Sequence, residues 1–361
     1  MIENSKKNIF KQKDWWTKLN WTAIRVNIKT YQEEIIKSSR NGKKRKMHKL
    51  MKKLVKSEYA KLYAIYIVTQ KNKGKFTPGI DGKIYLSPED RMSLSREKFN
   101  YKNYKFHPII VKELPKKSFE RKNGKIINKN QTRLKSSEKR QIGIMTIKDR
   151  IMTKIISFAL SARWEPKFDS NIIGFRPGKS IKDAIYGICR ELSKGKEFIL
   201  KADIKDFFNN INHNIILDNL NIFHGIIKRF LNIKVVAKNT VYMKNRGVIQ
   251  GSPLSPLLSN IALNGMHKIF DTQVIDGKFI EPKSRIFFIR YADDIAILAP
   301  SKRIIKKWVL PRLRNLLEKR GLRLNLEKTQ IISIKEGFQF LGYHIKQIDN
   351  KIIAKSTHII H

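Results

Sequence analysis

Three acidic side chains in this sequence sit among residues that make a negative charge unfavourable. Asp203 ends the apolar run Phe198-Ile199-Leu200-Lys201-Ala202, and the adjacent pair Asp293-Asp294 lies between the apolar stretches Ile286–Tyr291 and Ile295–Ala299. The chain otherwise avoids negative charge, with 30 Asp and Glu against 76 Lys and Arg. Two adjacent carboxylates beside buried strands repel each other and resist ionisation unless a cation lies between them. A divalent ion resolves that conflict. Magnesium takes a few carboxylates plus water and substrate phosphates, and two such ions about 3.5 to 4 Å apart stabilise both the attacking and the leaving oxygen of phosphoryl transfer. The chemistry that these acids suit is therefore nucleotidyl transfer. An Asp-Asp pair alone is weak evidence, because an ordinary polar turn has the same sequence.

The elements that must position these acids are legible around them. The stretches RIFFIRY and IAILA read as strands bracketing Ala292-Asp293-Asp294, so the pair sits in a hairpin. FILKADI reads as a buried strand ending at Asp203, followed by a helix after Asn212. A further helix is expected near Pro253, whose missing N–H is harmless in a first turn. Residues 302–320 are amphipathic helix, and QIISI and FQFLGYHI supply the last strands. Upstream, a helix runs from Lys148 to Trp164, Pro166 stops it, and a Gly-Phe-Arg-Pro-Gly loop follows. Residues 116–140 are polar and basic and are expected to form an exposed, mobile loop or a partly ordered insertion before structure resumes at Gln141. Residues 15–75 are helical by the spacing of Leu50, Leu54, Tyr59, Leu62, Ile65 and Ile67, and the turn Thr77–Gly82 ends that unit.

Length and charge narrow the partner. The 361 residues suffice for two or three packed subdomains, and 41% hydrophobic content is ordinary for a folded protein. A formal charge of +46 exceeds what solubility requires and repels itself unless a polyanion neutralises it, which points to nucleic acid. A membrane surface is the rival, but no run of about 18 apolar residues occurs and the N terminus lacks a signal-peptide core. Lys43, Lys44, Arg45 and Lys46 open a cationic run to Lys56, read as RNA-contacting rather than as a merely solvated helix face. Cys189 is the only cysteine, so a disulfide framework and a multi-cysteine zinc site are excluded, and metal chemistry must use oxygen ligands.

Taken together, the motifs resemble those of group II intron-encoded reverse transcriptases and maturases. Tyr291-Ala292-Asp293-Asp294 resembles their YxDD turn, and Lys201–Phe208 resembles their first palm motif, ninety positions upstream. Between them, Gln250-Gly251-Ser252-Pro253-Leu254-Ser255-Pro256-Leu257-Leu258-Ser259-Asn260 is similar to the QGxPLSPLLxN segment. Further similarities are Gly143–Arg150, Gly174–Gly178, Thr77–Gly82, Phe340–Tyr343 and the tryptophan-rich start, so the resemblance covers about residues 14–345. It implies an α+β, right-hand polymerase fold of fingers and palm, with an RRM-like antiparallel palm sheet and a helical region before it. The expected division is a basic helical region over 1–85, fingers over 86–190, palm over 191–345 and a short tail over 346–361.

The same resemblance implies roles. Asp203, Asp293 and Asp294 become the metal ligands, joined by the backbone carbonyl of Ile204, for two Mg2+ ions, with Mn2+ as a substitute. Phe208 matches the aromatic gate under the sugar that selects deoxynucleotides; the plain alternative is a core phenylalanine. Gln250 and Gly251 match the segment against the incoming nucleotide and template, where a missing Cβ permits close approach. Arg140 and Arg150 match the region that grips the triphosphate, a task suited to the planar guanidinium fork, with ordinary surface arginines as the alternative. Lys328 matches the lysine that protonates the leaving pyrophosphate. Arg176 either touches the template backbone or caps its own loop.

Some features depart from the pattern. Nineteen residues follow Gly342, so the thumb is expected to be short or absent, or supplied by a separate polypeptide or by RNA. No cysteine-rich endonuclease segment is present, which argues against insertion into new sites by this chain alone. Asp206 stands where a small residue is usual and adds a fourth carboxylate near the acids in sequence, on a strand continuing from Asp203 that could turn it away from them, and Met145 replaces a common proline. The expected function is RNA-directed DNA polymerisation, with deoxynucleoside triphosphates, RNA/DNA duplex and group II intron RNA as partners and with assistance to splicing of the host intron. The alternative is a non-catalytic, maturase-like RNA-binding splicing factor. The abundance of Lys, Ile and Asn suits an A+T-rich genome; a chloroplast is favoured over a mitochondrion, and a bacterial cytoplasm is the alternative.

Overall fold

The helical spacing upstream of Thr77 resolves into three helices, Trp21–Arg40, Lys44–Lys56 and Glu58–Tyr66, continued by a π-helical turn over Ile67–Lys71. The computed structural model describes residues 15–115, 119–122, 125–128, 139–237, 240–270, 274–275, 278–279 and 286–357. The chain divides into two units. The first comprises Met1–Arg163, Asn221–Asn245 and Ile249–Ser255; the second comprises Trp164–Leu220, Arg246–Val248 and Pro256–His361.

In the first unit, Asn20 caps the helix Trp21–Arg40 by accepting from the Ala23 N–H. The helix Lys44–Lys56 buries Met47, Leu50, Met51, Leu54 and Val55 at helical spacing and leaves its lysines exposed. The tryptophans at the start have a structural use. Trp15, Trp16, Trp21, Tyr66, Tyr63 and Phe158 form a chain of ring contacts with centroid separations between 4.2 and 6.0 Å. Phe158 belongs to the helix Ile147–Trp164, so the ladder ties the N-terminal helices to the centre of the unit. A four-stranded sheet runs in the order Lys139–Ile144, Ile109–Pro115, Lys234–Ala237, Thr240–Met243, with the central pair parallel and the outer pairs antiparallel.

The expected loop over 116–140 is corrected in part. Phe119–Lys122 and Lys125–Asn128 pair as a short antiparallel hairpin, and the strand expected from Gln141 already begins at Lys139; the rest of that stretch lies outside the described residues.

In the second unit, a four-stranded sheet runs in the order Phe287–Tyr291, Asp294–Ala299, Phe198–Ala202, Gln330–Ser333, antiparallel throughout. Helices lie in the chain between the first and second strands and between the third and fourth, which gives the split β-α-β topology of RRM-like sheets. Strand alternation sends Ile199, Ile289, Ala296 and Leu298 into one core cluster with Ala184, Ile185, Ile188 and Leu192 of the helix Ile181–Leu192. That helix opens on a capping box between Ser180 and Asp183. The helix expected near Pro253 begins at Ser255, two residues later, and Pro256 takes its first turn. The residues after Gly342 continue the fold: Phe338–Phe340, Tyr343–Ile348 and Lys351–Ser356 form a three-stranded antiparallel sheet.

Glu191, near the end of the helix Ile181–Leu192, has its side chain 9% exposed and bonded to Lys194 and Lys196 at 2.8 and 2.9 Å. Burial alone would push its carboxyl up, but those lysines hold it at about 2. A carboxyl held below its unfolded value contributes stability that is present above the ordinary 4.5 and is lost as pH falls toward 2. We expect Glu191→Gln to cost roughly 1–3 kcal/mol at pH 7. In urea titrations the gap from the parent protein should close as pH approaches 2; a gap independent of pH would contradict this account.

Candidate active site

The sheet of the second unit brings two of the three acids together by register. Ala202 pairs with Ile295, so one step beyond the last rung Asp203 stands opposite Asp294 at the ends of neighbouring strands. Asp293 and Ala292 make the tight turn, with Tyr291 paired to Asp294 and Ala292 at φ +58°. Burial and the charges of Asp293 and Asp203 push the Asp294 carboxyl up to about 6, against the pull of Lys201 and Lys328. Burial is the largest cause, and the neighbouring carboxylates add to it. Among the described residues no three His, Cys, Asp or Glu side chains form a ready-made metal cage. The donor set is nonetheless one of hard oxygens, in keeping with an ion that completes its shell from water and substrate phosphates.

Asp203 is held by its neighbours in the last palm strand region. Its backbone carbonyl accepts from the Asn325 N–H at 2.8 Å, and its Oδ2 accepts from Asn325 Nδ2 at 3.2 Å. Lys328 Nζ lies 3.4 Å from the same Oδ2, with its side chain 61% exposed. Ile204 is buried and bridges to Leu324, and Lys205 N–H donates to the Arg323 carbonyl. The strand does not continue past Asp203: Asp206 is exposed at φ +46° and starts the short helix Phe207–Asn210. This corrects the reading of Asp206 as a strand residue.

Phe208 is half-buried in that short helix, edge-on to Phe175 and to Phe207 at 6.2 and 5.2 Å between ring centroids. Phe175 in turn meets Tyr291 of the hairpin at 6.4 Å and is 45% exposed. The Gly174–Gly178 loop that carries Phe175 lies directly on the acidic turn. A Cβ at Gly174 would stand 2.6 Å from the Ala292 nitrogen, so only glycine permits the approach. Ile173 N–H donates to the Arg290 carbonyl, Arg290 N–H donates to the Asn171 carbonyl, and Asn260 Nδ2 donates to the Gly174 carbonyl. Beneath the turn Arg290 is fully buried and donates to the Ala292 carbonyl at 3.1 Å. Burial, with repulsion from Arg320 and Arg176, lowers its pKa to about 9, so it keeps its charge at neutral pH beside Asp293. Phe175, Asn260, Arg290 and Asn325 were not singled out by the sequence; each lies inside a recognised motif or beside one, and that adjacency was the available signal.

The structure chooses between the alternatives for Arg176 and gives Arg150 other partners than expected. Arg176 pairs with Glu165 at 2.7 Å, donates to the Asp169 and Ile172 carbonyls and lies over the Phe168 ring, so it caps its own loop rather than facing outward. Arg150, in the first unit, is buried and donates to the carbonyls of Met145, Gly74 and Thr77. It clasps the Thr77–Gly82 turn region to the helix start, and three of its donors are spent there rather than on a triphosphate. Arg140 is exposed on the strand Lys139–Ile144. The Gln250 carbonyl accepts from the Gly143 N–H of that strand at 2.8 Å, and Gly251 at φ +106° leaves room for the Gly143 carbonyl. Lys43, Lys44, Arg45 and Lys46 are all exposed at the start of the second N-terminal helix.

A carboxyl whose folded pKa lies above its ordinary 3.8 makes the metal-free fold bind a proton more tightly than the unfolded chain. That contribution is complete below about 3.8 and is lost as pH rises through 6. Asp294→Asn should therefore stabilise the metal-free protein at pH 8, by roughly 1–3 kcal/mol, and leave it unchanged at pH 4. Thermal melts with a chelator at both pH values check this; equal effects at both would rule out a raised Asp294 carboxyl as the cause.

Comparison with known proteins agrees with this geometry. The family described as reverse transcriptase (RNA-dependent DNA polymerase) matches residues 121–345, and the N-terminal domain of reverse transcriptase matches residues 16–97. The protein YkfC of Escherichia coli is 24% identical over 315 residues, covering 77% of this chain and 78% of its own length. Maturase-like protein 1 of Euglena longa is 27% identical over 91% of this chain and 65% of its own, and the group II intron-encoded protein LtrA of Lactococcus lactis is 25% identical over 61% and 47%. The chain thus spans about two thirds of the Euglena relative and about half of the Lactococcus one. Among solved structures, telomerase from Candida albicans, determined with a fragment of telomeric RNA, aligns with a TM-score of 0.50 at 16% identity, over 72% of this chain and 47% of that one, a likeness of fold. The expected α+β polymerase fold and the resemblance read from the motifs are both borne out. With a single family matching well over half of the sequence, and its signature acids gathered at one end of one sheet, the chain belongs to the reverse transcriptase (RNA-dependent DNA polymerase) family.

Proposed function

We propose that this chain is an RNA-directed DNA polymerase of the group II intron type, extending a primer on an RNA template by two-metal nucleotidyl transfer. The observation that carries the reading is the pairing of Asp203 with Asp294 across adjacent strand ends, with Asp293 in the turn beside them. Asp203, Asp293 and Asp294, with the Ile204 carbonyl, would hold two Mg2+ ions, or Mn2+ in their place. When bound, such ions neutralise the attacking and leaving oxygens of the transfer.

The chain's own residues do the rest. Lys328, with its ammonium near Asp203, supplies a proton to the departing pyrophosphate. Phe208, braced edge-on by Phe175, presents an aromatic face under the sugar and favours deoxynucleotides. By their match to the family's motifs, Gln250 and Gly251 are assigned to the incoming nucleotide, and Arg140, outside the clasp that occupies Arg150, to its triphosphate. The basic helical region contacts RNA through Lys43, Lys44, Arg45 and Lys46, with fingers over 86–190, palm over 191–345 and a tail over 346–361. Group II intron RNA, an RNA/DNA duplex and deoxynucleoside triphosphates are the partners, with a separate thumb or maturase polypeptide as a further one. A chloroplast is the favoured compartment, supported by the A+T-type composition. No helix among the described residues is long and apolar enough to cross a membrane.

A second reading, a maturase-like splicing factor that binds RNA without copying it, is favoured by the exposed cationic side of the helix Lys44–Lys56. Primer extension on an annealed RNA template separates the two. With Mg2+ and deoxynucleotides, the parent protein should extend the primer, and an Asp293→Ala, Asp294→Ala double variant should lose at least about a hundredfold in rate. RNA binding that is intact and steeply salt-dependent, with no extension by either protein, would remove the polymerase reading and leave the splicing factor.

A further inference from the structure

We propose that Asn260 is a positioning residue for the acidic turn: its side-chain amide fixes the Gly174 loop, and the loop in turn fixes the backbone that carries Asp293. The proposal rests on the polymerase reading for its kinetic consequence but on geometry for its cause.

Asn260 ends the Gln250–Asn260 segment and occupies the helix Ser255–Ala262, where it is 1% exposed. A buried amide in a helix of apolar surroundings needs a reason, because an apolar residue of the same shape would avoid the desolvation of its polar atoms. Here the reason is visible. Its Nδ2 donates to the Gly174 carbonyl at 2.9 Å, 86 residues away in sequence. Gly174 is the residue whose missing side chain lets the loop approach the Ala292 nitrogen, and its Cβ position is also within 3.1 Å of the Tyr291 backbone. One residue earlier, the loop is joined to Arg290 on both sides, by Ile173 N–H to the Arg290 carbonyl and Arg290 N–H to the Asn171 carbonyl. The loop therefore acts as a short parallel rung on the outer edge of the hairpin.

The turn itself cannot hold this shape unaided. Ala292 is in the left-handed region at φ +58°, a conformation that costs an L-residue of order 1 kcal/mol and persists only when its surroundings impose it. Arg290 supports the turn from inside through the Ala292 carbonyl. Asn260 supports it from outside through Gly174. Removing the outer support leaves a strained turn free to relax, and Asp293 moves with it. The acids would then meet substrate and metal in the wrong geometry, although neither Asn260 nor Gly174 touches the reacting atoms. This predicts a defect in the chemical step with binding preserved.

The test compares the parent protein with Asn260→Asp, which keeps the side-chain shape but replaces the donor by an oxygen facing the Gly174 carbonyl, and with Gly174→Ala, which disturbs the same contact from the other side. Asn260→Leu serves if Asn260→Asp does not fold. In primer extension, each variant should lower kcat by about tenfold to a hundredfold, raise the Mg2+ concentration for half-maximal activity, and leave KM for deoxynucleotide and the Kd for template-primer within about threefold. The double variant should be no worse than the poorer single one. Hydrogen exchange, which needs no activity, should show faster exchange in peptides covering 288–294 and none in those covering Phe198–Ala202. Parent extension with unchanged kcat in a folded variant would overturn the proposal, as would a raised KM at constant kcat, or losses that merely follow the folded fraction. Lack of extension by the parent protein would count against the polymerase reading, and exchange at 288–294 would then decide the positioning role by itself.

Discussion

Mutual repulsion among three carboxylates is the constraint around which the second unit is arranged. Asp294 is fixed by the last rung of the hairpin, Asp203 stands just beyond the last rung opposite it and is held by Asn325, and Asp293 sits in a two-residue turn. The neighbourhood then moderates the repulsion without cancelling it. Asn325 and Lys328 attend Asp203, Lys201 draws on Asp294, and Arg290 sits as a buried cation below the turn. What is left over is a site of stored negative potential, open to a divalent ion and a polyphosphate, in a protein whose remaining surface is strongly positive. On the proposed polymerase reading, that contrast would direct where an ion goes and where a nucleic-acid backbone goes.

The cationic residues divide their work by chemistry. Arginines are turned inward as cross-links between distant parts of the chain: Arg91 to Thr69, Arg150 to Gly74 and Thr77, Arg229 to Tyr101, Lys102 and Tyr104, Arg320 to Asn264. A guanidinium carries five donors in a fixed fork, so one side chain can satisfy several backbone carbonyls in places that lack regular structure. Most lysines, with a compact and strongly hydrated charge, stay on the surface, as along the helix Lys44–Lys56; Lys196, buried against Glu191, is an exception. The net charge thus overstates how alike these residues are: part of it builds loops, and part faces solvent.

This division also explains what could be read from the sequence. The strands around the acids, the helix over 147–164 and the hairpin position of Asp293-Asp294 follow from apolar periodicity, which is local. The order of the motifs carried the family. The inward turn of Arg150 was hidden, and Arg176 was left open between two roles, because a composition rich in Lys and Arg gives no local sign of which cations turn inward. Asp206 was read as strand because nothing in its type marks a positive φ. Asn260 and Arg290 are long-range cases: their significance appears only when Gly174 is seen against Ala292, a contact spanning more than a hundred residues. The hairpin of Phe119–Lys122 and Lys125–Asn128 was hidden by a polar composition that reads as loop.

The run of rings from Trp15 to Phe158 has a consequence for how the N-terminal helices behave as a part. Because Trp21 stacks on Tyr66 at 4.2 Å and Tyr63 meets Phe158, the helices Trp21–Arg40 and Glu58–Tyr66, on either side of the lysine-bearing helix Lys44–Lys56 in the chain, are keyed by aromatic faces into the helix Ile147–Trp164. Gln32 adds a hydrogen bond to the Phe158 carbonyl. A basic arm on a flexible tether can follow a mobile RNA; this one is mortised into the core of its unit. On the proposed role in RNA contact, cations held at fixed spacings would suit the phosphates of an RNA already folded to match better than loose strands gathered residue by residue.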